Sequence, residues 1–142
     1  MALPSGLPES VGDDETLARF VLASKHFSQP QEGHWRVKYP AFIPDPHDDL
    51  SVSRVEGLPS DSIAKLGRPV AAKQRKALYG AALVKCGLIR RQSLDILADE
   101  PPERHANIVG WPKESDRKEQ KSRRQLIALE LAESSRFIEI DA

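Results

Sequence analysis

The stretch Leu78 to Ile89 (LYGAALVKCGLI) is the most apolar run in the chain, and it sets what the remainder must build. It is too short to cross a bilayer, which takes about 20 apolar residues in a helix, so its hydrophobic side chains have to be covered by other parts of the protein. A short apolar run bounded by glycines reads as a central strand. The chain is long enough to bury it: a 142-residue globule removes roughly 70% of its unfolded surface from water. One domain with one sheet at its centre is therefore the expectation.

Cys86 lies inside this run and is the single cysteine, which excludes an internal disulfide and any multi-thiolate zinc site. Lys85 beside it points to the opposite face of a strand, so Cys86 reads as a buried small hydrophobe. Lys plus Arg and Asp plus Glu both number 21, so no net field draws the whole molecule to nucleic acid or to an anionic membrane. Any such contact must be local. No basic region followed by an apolar segment opens the chain, and the expected location is the cytosol.

Residues 1–12, rich in Pro, Gly and Ser, read as a flexible leader that tolerates deletion. Asp13, Asp14 and Glu15 ahead of Leu17, Phe20 and Val21 predict a helix, with TLARFVL as a strand in second place. Trp35, Val37 and Tyr39 alternate as a half-buried edge strand before Pro40 and Pro44. LSVSRV (Leu50 to Val55) predicts a second strand, with Leu50, Val52 and Arg54 on one face. Ser60 is placed to cap a short helix that Gly67 ends, Pro69 preventing continuation. SLDIL (Ser93 to Leu97) is a further strand that can pair with the central one. The longest helix covers Lys113 to Ser135, capped by Ser115, with an apolar face only in its second half. RFIEI returns as a strand. The order lacks regular βαβ alternation, so the expectation is an α+β domain over 13–142: a single small mixed or antiparallel sheet, a long C-terminal helix and one or two shorter helices, gathered on one face.

The candidate site is the proline-bracketed run Pro101 to Pro112. Pro-limited flexibility and side chains rich in donors are what a recognition site needs. His105 is a candidate acid, base or phosphate contact, Arg104 an anion clamp, Asn107 a polar anchor and Trp111 a stacking platform. The alternative is structural, with His105 and Asn107 serving backbone groups and Trp111 plugging the core. Arg54 and Lys85 are further groups able to converge with Arg104 and His105 on one anion. Arg117, Lys118, Lys121, Arg123 and Arg124, against Glu119, form a basic patch that Arg90, Arg91 and Arg104 can extend; a solvated helix face is its plainer reading.

His26, His34, His47 and His105 lack metal-site spacing, and His47 among Asp45, Asp48 and Asp49 reads as a solvated acidic turn, so no metal is expected. No Walker loop, GxGxxG, GxSxG or HExxH occurs, and no cofactor is implied.

At LARFVLASKHFS, VKYPAFIP, LSVSRVEGL, RHANIVGWP and IALELA the chain resembles a family of short uncharacterised bacterial proteins, over Leu17 to Ile138. The resemblance implies a one-domain bacterial protein, makes the His105 segment its most specific part, and transfers no activity. The expected function is a non-catalytic binding or accessory protein docking on a protein or nucleic-acid partner. The alternative is a small enzyme acting on a nucleotide or nucleic-acid phosphate with His105 as acid or base. A third reading gives the apolar half of the last helix to a homodimer contact.

Overall fold

In a computed structural model that describes residues 2–29, 35–44 and 48–140, the chain is an α+β protein built on an antiparallel sheet. Among the described residues the sheet holds six strands in the order β6-β7-β4-β1-β5-β8. They are β1 (Thr16–Val21), β4 (Leu50–Arg54), β5 (Gly80–Lys85), β6 (Asp95–Ala98), β7 (His105–Val109) and β8 (Arg136–Glu139). A separate ribbon joins β2 (Phe27–Ser28) to β3 (Arg36–Val37). The helices are α1 (Ser60–Gln74), α2 (Cys86–Arg90) and α3 (Arg117–Ser134).

The apolar run supplies β5, flanked by β1 and β8. Its odd and even residues go to different cores: Ala82 and Val84 pack with Ala128 and Leu131 of α3, Ala81 and Leu83 with Ile63 and Ala64 of α1. Burial on both faces is why the run is continuously apolar. Gly80 has to be glycine, since a Cβ there would stand 2.3 Å from the Ile138 carbonyl oxygen and 2.4 Å from the Phe137 ring. The strand ends earlier than expected, at Lys85, and Cys86 opens α2. Cys86 is buried and free, and burial, with the charge of Glu15 adding to it, pushes its thiol up to about 12.

The same two-sided burial corrects the helix predicted after Asp13. Leu17 and Val21 enter one core and Ala18 and Phe20 the other, so the segment shows no alternation and is strand β1. Helices cover both faces, not one. β6 pairs with β7, not with β5. Helix α1 continues through Gly67 and Pro69 to an αL residue, Arg75, and its N-cap is Pro59. Gly67 fits because the Phe20 ring would lie 2.7 Å from a Cβ there. Pro69 and Lys65, one turn apart, are both on the exposed side, where water can serve the carbonyl that the missing N–H leaves behind. Of the expected strand at Trp35 to Tyr39 only Arg36–Val37 pairs; Tyr39–Phe42 is a 3₁₀ turn that buries Phe42. Asp116, not Ser115, caps α3, accepting from the Lys118 and Glu119 N–H groups. Strands β4 and β8 stand where the sequence places them, with Leu50, Val52 and Arg54 all buried.

Residues 2–12 are placed against the sheet in a way the leader reading does not anticipate. Val11 is in the core, Ser5 bonds Glu100 through both its N–H and its hydroxyl, and the carbonyls of Pro8 and Ser10 accept from Arg54. His34, His47 and Asp45, which the sequence raises as candidate metal ligands, lie outside the described residues.

Candidate functional site

Strands β1 and β4 pair at only two register positions, Leu17↔Arg54 and Ala18↔Ser53, and then part. Arg19, the next residue of β1, fills the split with its side chain. Its Nε donates to the Ala41 carbonyl at 2.8 Å and its Nη1 to the Ser51 carbonyl at 2.9 Å, replacing ladder partners that both segments have lost. A guanidinium carries five N–H donors, so most of them remain available.

Between this split and α1 lies a cleft of about 430 Å³. Phe20, Leu66 and Val70 give it an apolar floor, while Lys65 and Lys73 of α1, with Lys76 just beyond, bring exposed ammonium groups to its wall. Glu103 is the sole carboxylate among the described lining residues. Among the described residues, neither Arg19 nor any of the three lysines has a carboxylate within ion-pair distance. The field of these cations is felt inside. Burial pushes Arg19 down to about 10, which leaves it cationic at neutral pH. Burial first, and then the positive charges of Arg19, Lys25 and Lys76, hold His26 below its ordinary value.

At the rim, β4 and β7 bring Ser51 and His105 together. The register sets Ser53 opposite His105, so Ser51 is its diagonal neighbour on the same face. Ser51 Oγ lies 2.6 Å from His105 Nε2, and His105 Nδ1 lies 2.9 Å from the Asp99 carbonyl oxygen and 3.4 Å from Asp99 Oδ2. Asn107 Nδ2 donates to that carboxylate at 2.9 Å.

The predicted site residues part company. The run around His105 is strand β7 in the interior of the sheet, not a loop; its alternating small and branched residues Ala106 and Ile108 fill the core. Trp111 is no stacking platform. It is buried, with Nε1 donating to the Ile108 carbonyl at 3.0 Å. Arg54 is fully buried and binds Glu15 through two nitrogens at 2.8 Å, so it does not present itself to an external anion. Arg104, at φ 66°, donates to the Arg54 carbonyl, and Lys85 pairs with Glu56. Arg54 and Arg104 meet only through the Arg54 and Arg104 backbone carbonyls, whereas His105 and Asn107 converge through their side chains on Asp99, with Ser51 beside His105.

The basic run on α3 also divides. Arg124 is buried against the Pro112 carbonyl and Asp48, and Arg123 pairs with Glu114 and Glu119. Arg117, Lys118 and Lys121 are exposed, but α3 covers the opposite face of the sheet from α1, so they do not extend the cleft. Arg90 is held by Asp13 and Asp95. Ala128, Leu131 and Ala132 of α3 are buried in the core, leaving Leu126 and Leu129 exposed.

Sequence reasoning missed Arg19, His26, Lys65, Lys73, Lys76, Ser51 and Asp99. One signal was readable: Ala64 to Lys76 carries Lys65, Arg68, Lys73, Arg75 and Lys76 without any acid, a cationic run more spread out than the one on α3 but uninterrupted by a carboxylate. Among the described residues no cluster of His, Cys, Asp or Glu could hold a metal ion, and no helix is long and apolar enough to cross a membrane. No protein family, no curated protein and no solved structure matches the chain.

Proposed function

We propose that this protein binds a phosphate-bearing ligand of nucleotide size in the cleft between α1 and the β1–β4 split. The observation that carries the reading is the charge balance of one cavity: Arg19, Lys65, Lys73 and Lys76 against Glu103. Uncompensated cations around a concave site attract an anion and hold it by charge-assisted hydrogen bonds. The volume of about 430 Å³ falls within the roughly 300–1,000 Å³ typical of small-ligand sites, and the apolar floor suits the less polar part of such a ligand. Arg19 is the specific element, since its guanidinium is already fixed by two backbone carbonyls and loses little freedom on binding.

Calorimetric titration with ATP, AMP and inorganic pyrophosphate at low ionic strength tests it. Saturable binding is expected, weakening with salt, and the charge reversals Lys73→Glu and Lys76→Glu together should lower affinity at least 10-fold. Absence of binding by all three probes, or an unchanged affinity in the double variant, overturns the reading. The exposed Arg117, Lys118 and Lys121 favour a second mode, loose docking on a polyanionic partner such as nucleic acid across the opposite face. Its signature is binding of an oligonucleotide that survives the Lys73 and Lys76 reversals.

A further inference from the structure

The rim of the cleft carries an arrangement that ligand binding by itself does not use. A carbonyl oxygen only accepts, so the 2.9 Å contact with Asp99 requires His105 Nδ1 to carry the hydrogen. In the neutral ring Nε2 is then an acceptor, and the 2.6 Å contact is the Ser51 hydroxyl donating to it. The Asp99 carboxylate, held by Asn107, stands behind the same ring nitrogen at 3.4 Å, where it helps to fix the ring's orientation. A serine hydroxyl aimed at an imidazole whose far nitrogen is anchored is the arrangement of an activated nucleophile. Both partners sit on adjacent paired strands, which fixes their separation better than a loop would. Ser51 is exposed, and both it and His105 line the cationic cleft.

We infer that Ser51 is a nucleophile and His105 its general base in the hydrolysis of a phosphate monoester held in this cleft; the inference rests on the phosphate-ligand reading above. In the first half-reaction Ser51 Oγ bonds to phosphorus while its proton passes to His105 Nε2. The bond from phosphorus to the ester oxygen breaks, and the departing alcohol takes that proton from His105. In the second half, water attacks the phosphoserine and gives a proton to His105, which returns it to Ser51 Oγ as inorganic phosphate leaves. The sum is ester plus water giving alcohol plus phosphate. Arg19 and the lysines neutralise charge on the transferring group. Asn107 is a positioning residue, acting through Asp99.

The test compares the wild type with Ser51→Ala and His105→Gln, purified identically, using p-nitrophenyl phosphate and a nucleoside 5′-monophosphate as substrates and calorimetry for nucleotide binding. Both variants should lose at least about 100-fold in kcat with KM little changed. Nucleotide affinity should persist in Ser51→Ala. Intact mass after acid quench should show one phosphoryl adduct, mapped to Ser51, in the wild type only. Wild-type turnover in Ser51→Ala overturns the inference. So does a wild type that binds nucleotide yet releases no phosphate, an outcome that leaves the cleft reading standing. A wild type that does neither removes the cleft reading and this one with it. Should His105→Gln fail to fold, Ser51→Ala still decides, because Ser51 is exposed and its loss leaves the His105 Nδ1 contact in place.

Discussion

Arg54→Ala should be among the most damaging single substitutions in this protein, and the structure sets the scale. The guanidinium is fully buried, with Nε and Nη2 each 2.8 Å from a Glu15 oxygen and Nη1 2.7 Å from the Pro8 carbonyl. Its removal strands a carboxylate whose side chain is 18% exposed and leaves Gly12 N–H as the remaining donor to it. Breaking one side of a buried pair costs about 3–5 kcal/mol, because the partner charge stays behind in a poor solvent. At roughly 3 °C per kcal/mol for a domain of this size, the melting temperature should fall by about 10–15 °C. Urea unfolding followed by circular dichroism measures the loss directly.

The pH dependence gives an independent check. Burial pushes the Glu15 carboxyl up, but hydrogen bonds from Arg54 and Gly12 and the charges of Arg54 and Arg90 outweigh it, and the net shift is downward from 4.5. A depressed carboxylate stabilises the fold above its unfolded value and loses that contribution as pH falls through the folded one. The gap between wild type and Arg54→Ala should therefore be full at neutral pH and shrink in acid. Deleting residues 1–10, which removes the Pro8 and Ser10 acceptors but leaves Glu15, should cost less than the substitution and should reduce its effect when the two are combined. A loss below about 1 kcal/mol for Arg54→Ala would refute the reasoning, since it would mean that the guanidinium is not the organising charge of this region.

Gly80→Ala should destabilise by about 1–3 kcal/mol or more, because a methyl group 2.3 Å from the Ile138 carbonyl must push β8 off β5; thermal unfolding reads it. His26 has its value held below 6.5, so the unfolded chain takes up its proton first and stability should decline as pH drops below about 6.5. Pyrophosphate should restore that stability, and a pH-series of melting curves with His26→Gln as control tests both statements. Cys86, buried and pushed up to about 12, should react with a thiol reagent only at the rate of global unfolding; fast labelling of the native protein would contradict the α2 packing.

Local pattern was enough for the parts whose environment is one-sided or whose termini are marked by composition. The alternating LSVSR, the RFIE strand and the amphipathic half of α3 appear where periodicity puts them. It failed where burial is two-sided. TLARFV has no period 2 to display, and its acidic prelude imitates a helix start while Glu15 is committed to Arg54.

The sequence by itself determined that the chain closes around an apolar central strand with Cys86 inside. Only the tertiary structure decided which charges are spent and which are free. Arg54 and Arg19 look alike in sequence, yet Arg54 meets a carboxylate brought from another segment, and Arg19 meets only carbonyls and an open cleft. Likewise His105 gains meaning from Ser51 on a neighbouring strand and from a carbonyl after β6. Pairings of this kind arise from strand order and register, which bring distant residues within hydrogen-bond reach and leave no trace in local spacing.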